Sequence, residues 1–229
     1  MNKCYQWAYD SRFEFFLTTQ MAILFGSLIV PLDFHQQVLQ PLLFIFNMIA
    51  GILLISKNRL LAAFFLLLFV LSLVAFGSSF VGRTETIDHF QYLRLVVFFV
   101  FYGCVTVNII RQVWQSQEVN KNVIFGLMSG YVSLGLLGFF LFLSIQIVQP
   151  GSFNGLMIDG VNDGTMMDSL LYYSYITLLT IGYGEIFPMT PVAQKAAILV
   201  GLIGQFYLVI ITAVVVEKYI QTRTGGKKE

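Results

Sequence analysis

Long apolar runs separated by short polar segments recur along the whole chain. Each run approaches the roughly 20 residues that a helix needs to cross a bilayer, so the pattern predicts membrane-spanning helices rather than strands. The runs extend from about Phe15 to Pro31, Val38 to Ser56, Leu60 to Phe80, Gln91 to Val113, Val123 to Val148 and Val192 to Val216. They predict an all-α membrane protein with six transmembrane helices. Between the fifth and sixth lies an apolar, aromatic segment, Asp168 to Leu179, too short to cross and return as two helices. It is expected to be re-entrant. Asp168 is expected to cap its helix, and Gly182, Tyr183 and Gly184 follow as a sequence that a helix does not tolerate. The expected division is a four-helix unit over 1–117 and a second unit over 118–229, which ends in a short basic tail.

Composition fits this pattern. Hydrophobic residues make up 57% of the chain and charged residues 11%, and the mean hydropathy is +0.79. A soluble domain carries roughly 25% charged residues, so a single water-soluble core is excluded. Lys and Arg number 13 against 12 Asp and Glu, a balance that gives no attraction to nucleic acid. Cys4 and Cys104 are too few for a disulfide framework or a thiolate metal site, and read as small buried apolar residues. The run from Met21 to Val30 leads into Pro31 and Asp33 without a small-residue cleavage site, so it is expected to be a span rather than an export signal.

The basic residues set the orientation. With both termini cytoplasmic, the inner side holds Lys3, Arg12, Lys57, Arg59, Arg111, Lys121, Lys218, Arg223, Lys227 and Lys228. Arg83, Arg94 and Lys195 fall outside or near the outer surface. Asp33, Glu85, Asp88, Asp159, Asp163, Asp168 and Glu185 then lie on the outer side, where acidic groups raise the local concentration of cations. His35 and His89 are expected in outer loops.

From Thr180 the chain reads Thr-Ile-Gly-Tyr-Gly. Irregular glycine-rich backbone at membrane depth is tolerated where it is buried in protein or lines a watery cavity. Glycines at 182 and 184 permit conformations in which successive carbonyls point one way. Such a column of oxygens replaces the hydration shell of a potassium ion, the device of the Thr-Val-Gly-Tyr-Gly loop in potassium channels. Over about Val123 to Ile220 the chain resembles the tetrameric potassium channel family, with outer helix, pore helix, selectivity filter and inner helix in order.

The resemblance implies a homotetramer with potassium as the transported ion and no cofactor. It implies ion sites at Thr180, Ile181, Gly182 and Tyr183, with Gly184 completing the strand. It also implies an aromatic cuff from Tyr172 and Tyr173 and an inner-helix hinge at Gly204. Ile176 stands where some members carry a glutamate that braces the acidic residue after the filter, and Glu185 stands where aspartate is usual. That glutamate brace is therefore absent. In the last span Gln205 and Thr212 lie about two helical turns apart on one face. With Leu208 and Val216 on nearly the same stripe, these four are expected to line a cavity below the filter.

Voltage sensing needs several charges moving through the field, each contributing about 2.3 kcal/mol per 100 mV. Leu95 to Ile110 is uncharged between Arg94 and Arg111, so strong voltage gating is not expected. Asn47 and Asn108 read as interhelical hydrogen-bonding groups, and Gly126, Gly130, Gly135 and Gly138 as sites of close helix approach. No nucleophile with a nearby base, metal-ligand cluster or phosphate loop suggests an enzyme. The expected function is passive potassium conduction across the cell membrane. The alternatives are a weakly selective cation channel and a non-conducting regulatory membrane subunit.

Overall fold

The computed structural model describes residues 11–31, 34–55, 59–80, 87–115, 121–157 and 163–225. Cys4, Asp33, Glu85 and Asp159, with the basic Lys3, Lys57, Arg83, Lys227 and Lys228, lie outside them. The helices are α1 (Arg12–Phe25), α2 (Gln40–Ile55), α3 (Arg59–Phe80), α4 (Ile87–Gln115), α5 (Lys121–Val148), α6 (Asp163–Leu178) and α7 (Pro191–Gly225). Two short strands, β1 (Phe153–Asn154) and β2 (Phe187–Pro188), pair antiparallel on either side of α6.

Among the described residues, three stretches are long and apolar enough to cross a membrane: Tyr92–Gln115, Lys121–Val148 and Pro191–Glu217. The apolar stretches Gln40–Ile55 and Leu60–Leu73 are shorter. The first expected span behaves differently from its hydropathy. α1 has 14 residues, about 21 Å at 1.5 Å per residue, and gives way to a 3-10 turn at Gly26–Leu28. Gly26 is the poorest helix former of this segment, and the α-helix ends at it. The chain is a mostly helical membrane protein.

Packing divides it into two compact units, 1–108 and 109–229. The boundary expected after Gln117 falls on residues outside those described. In the first unit Phe16, Phe65, Phe101 and Tyr102 are fully enclosed, and Phe101 sits 5.2 Å from Phe65 and 5.1 Å from Tyr102 between ring centroids. Asn47, at 0% exposure, is the polar centre. Its Nδ2 donates to the Phe16 carbonyl at 3.3 Å and to Thr19 Oγ1 at 2.8 Å, and its Oδ1 accepts from the Tyr102 hydroxyl at 2.8 Å. One amide thus ties α1, α2 and α4, as expected of it. Asn108 does not do the same. Its Nδ2 returns to the Cys104 carbonyl one turn back at 2.8 Å, a bond within its own helix. His35 is not in a loop: it lies in a π-helical turn (His35–Leu39) and is 2% exposed. His89 lies in the first turn of α4.

In the second unit the core is Leu136, Phe139, Phe142, Leu170 and Leu178. α6 begins at Asp163, one turn and more before the expected start, so Asp168 is inside the helix and does not cap it. Hydrogen bonds at Ser169 account for the difference. Ser169 Oγ donates to the Thr165 carbonyl at 2.8 Å and accepts from the Met157 amide at 3.3 Å, so the added turn is tied into the structure.

Tyr102→Phe keeps the ring and removes the only donor to Asn47 Oδ1 among the described residues. Interhelical hydrogen bonds in membrane proteins are worth about 0.6 kcal/mol and at most about 1.7, and the variant is expected to lose that much in unfolding measured in mixed micelles. An unchanged unfolding free energy would remove Asn47 from its place at the centre of the first unit.

Candidate functional site

The site grows from the C-terminal end of α6. The Thr180 amide donates to the Thr177 carbonyl at 3.1 Å and the Ile181 amide to the Ile176 carbonyl at 2.8 Å. This pair of bonds is the Schellman closure of a helix, in which the residue after the cap takes left-handed φ and is usually glycine. Here that residue is Thr180, with φ 57, the one non-glycine residue at positive φ among the described residues. A left-handed side-chain-bearing residue costs roughly 1–2 kcal/mol, and strain of this kind at a chain reversal points to a use for the side chain.

Gly182 and Gly184 follow with φ 57 and 93, whereas Ile181 and Tyr183 between them are not left-handed. In an ordinary strand successive carbonyls alternate in direction. Alternating the hand of successive residues flips every second peptide, so the carbonyls gather on one side. Thr180 to Gly184 are all exposed in the single chain, and none of their carbonyls accepts a hydrogen bond within the described residues. The five expected ion-site residues therefore form one continuous strip. The macrodipole of α6 places partial negative charge at its foot, which favours a cation there.

Around this strip the chain is anchored on three sides. On α5, an added Cβ at Gly135 would stand within 2.8 Å of three atoms of the Tyr175 ring, and one at Gly138 would stand 2.6 Å from Ser174 Oγ. Both α6 side chains reach the α5 backbone through these gaps. Ser174 Oγ donates to the Gly135 carbonyl at 2.6 Å and the Tyr175 hydroxyl to the Val132 carbonyl at 2.7 Å. On α7, the Tyr207 hydroxyl donates to the Leu127 carbonyl at 2.7 Å. Beyond the strip, the β1–β2 pair matches Phe153 with Pro188 and Asn154 with Phe187. The Met189 amide donates to the Ser152 carbonyl at 2.8 Å, and Thr190 Oγ1 accepts from the Ala193 amide at 3.3 Å. Thr190 followed by Pro191 is a standard helix opening, cap residue then proline at the first position.

The two tyrosines expected to act together separate. Tyr172 is exposed, and the nearby Glu185 carboxylate, with partial desolvation, pushes the phenol up to about 12. The phenol stays neutral at physiological pH, beside the residue that follows the strip, while Ile176 supplies no carboxylate there. Tyr173 is buried and packs 5.0 Å from Phe142 and 5.4 Å from Phe153, which joins α6 to α5 and β1. Gly204 lies inside a continuous α7, where an added Cβ would meet the Leu178 carbonyl oxygen at 2.5 Å. The next residue, Gln205, donates from Nε2 to Thr180 Oγ1 at 3.3 Å. Leu208, Thr212 and Val216 are exposed further along α7.

Sequence reasoning missed Ser174, Tyr207 and Gly155. Gly155 has φ 83, and a Cβ there would fall on the Glu185 carbonyl oxygen. Nothing in the order of residues announces that contact.

Residues 132–221 match the model of a family described as ion channel. Comparison with curated proteins and with solved structures gave no match. The match covers the strip, α6 and most of α5 and α7, and it indicates an ion channel.

Gly155 and Gly151 have nearly equal φ, 83 and 82, but a Cβ at Gly151 has nothing within 4 Å. Gly151→Ala is expected to cost only backbone strain, about 1 kcal/mol, and to keep the ion flux of reconstituted protein. Gly155→Ala should push on Glu185 and lose most of that flux. Equal fluxes from the two variants would dissociate the outer hairpin from the site.

Proposed function

We propose that this chain is one subunit of a homotetrameric, potassium-selective channel that conducts the ion passively across the cell membrane. The reading is carried by one observation: left-handed φ alternates along Thr180 to Gly184, which turns its carbonyls to one side, and none of them accepts a hydrogen bond among the described residues. An unpaired carbonyl in an apolar setting costs several kcal/mol, and a dehydrated cation is a partner that removes the cost for several at once. Thr180, Ile181, Gly182 and Tyr183 supply the potassium sites, with the Thr180 hydroxyl at the inner end and Gly184 at the outer mouth. Tyr172, Tyr173 and Glu185 support them.

One strip is one wall of such a passage, so four chains surround one axis. Two surfaces support the assembly. Tyr183 is 74% exposed in the single chain, and only 17% of the most apolar window of α7 is buried. A neighbouring copy covers both. In this arrangement α6 is re-entrant and the chain spans the membrane six times with both termini cytoplasmic. Lipid surrounds the outer helices, Gln205, Leu208, Thr212 and Val216 line the inner cavity, and Gly204 serves as the bend for gating. Opening depends weakly on voltage, since α4 carries no charge from Leu95 to Ile110. No chemical reaction is assigned to the chain.

Gly182→Ala tests the reading. The added methyl meets nothing within 4 Å in its own chain, so the substitution acts through the backbone. At roughly 1–2 kcal/mol per left-handed alanine, four subunits together favour turning the carbonyl away by several kcal/mol. Purified wild-type protein in liposomes should support potassium flux and the variant should lose selective flux. Selectivity equal to wild type in the variant would defeat the proposal.

A further inference from the structure

Thr180 and Gln205 are 25 residues apart and meet at the foot of the strip, where Gln205 Nε2 donates to Thr180 Oγ1 at 3.3 Å. A threonine hydroxyl has one hydrogen and two lone pairs. With one lone pair taken by the amide, the other remains for an ion, and rotation of the hydroxyl is restricted. A free hydroxyl would spend part of its time with its hydrogen toward the cation, which repels it.

We infer that Gln205 is a positioning residue of the innermost cation site: its amide holds the Thr180 hydroxyl so that an oxygen lone pair faces the ion. The inference rests on the reading of Thr180 to Gly184 as a potassium filter. Two features beyond the hydrogen bond support it. The approach of Gly204 to the Leu178 carbonyl brings the α7 backbone against the end of α6, so Gln205 reaches Thr180 from a fixed base. Thr180 itself sits at φ 57, where glycine would cost less, so the hydroxyl is retained against backbone preference. Among the described residues, Thr180 is the hydrogen-bond partner of this amide.

Barium is a suitable probe because it has nearly the radius of potassium and twice its charge, so it occupies the same oxygen cage more tightly. Applied from the cytoplasmic side, it should inhibit potassium flux through the wild-type channel. Gln205→Leu keeps the side-chain bulk and removes the donor. A net hydrogen bond of about 1 kcal/mol corresponds to roughly a fivefold change, so inhibition should weaken by about that factor or more. Thr180→Val removes the hydroxyl with little change of shape, and in that background Gln205→Leu should cause no further weakening. If Gln205→Leu weakens barium inhibition equally with and without the hydroxyl, or not at all, Gln205 does not act through Thr180 and the inference is overturned. For any variant without flux, barium affinity of the purified tetramer by calorimetry gives the same comparison. A wild-type protein with neither potassium-selective flux nor barium inhibition would refute the filter reading itself. Normal wild-type behaviour with an unchanged Gln205→Leu would refute only the role of Gln205.

Discussion

A carbonyl oxygen removed from water needs a partner, and the segment from Thr180 to Gly184 turns its carbonyls to one side with none among the described residues. Everything described in the second unit follows from keeping that unfavourable strip in place. The backbone is set by left-handed φ at 180, 182 and 184, two of them allowed by glycine and one imposed on a threonine. A conformation of this kind persists only when the surroundings over-determine it. The Schellman closure fixes its start and the β1–β2 pair its exit.

The anchors are polar side chains inserted through gaps left by glycine. Ser174 and Tyr175 bond to α5 carbonyls at Gly135 and Val132, and Tyr207 ties α7 to the Leu127 carbonyl. Bonds of this type are individually modest in a membrane protein. Their value here is geometric, because each fixes the rotation of a helix about its own axis. Rotating α6 would misdirect the strip at its end. Rotating α7 would remove Gln205 from Thr180.

The site could be read in the sequence because its demands fall on consecutive residues. Thr180 to Gly184 carry the backbone requirement in their order, and the glycines of α5 declare close approach by their spacing. The structure adds what they approach: Tyr175 at Gly135 and Ser174 at Gly138. Contacts between distant residues were not readable. Tyr172 and Tyr173 are adjacent in sequence, but one faces Glu185 and the other is enclosed by Phe142 and Phe153, because adjacent helix positions point about 100° apart. Asp168 misled as a cap since hydropathy does not register the extra helical turn from Asp163 that hydrogen bonding at Ser169 secures. His35 misled because a polar residue at a hydropathy break reads as a loop, whereas the chain folds it back against Gly26.

The central claim is that the backbone of Thr180 to Gly184, contributed by four chains, selects potassium over sodium. It is tested most directly by the reversal potential of the purified wild-type protein in a planar bilayer, with potassium on one side and sodium at equal concentration on the other. The account predicts a reversal potential far from zero, close to what potassium permeation alone gives. A value near zero, from a channel that passes both ions, would contradict it.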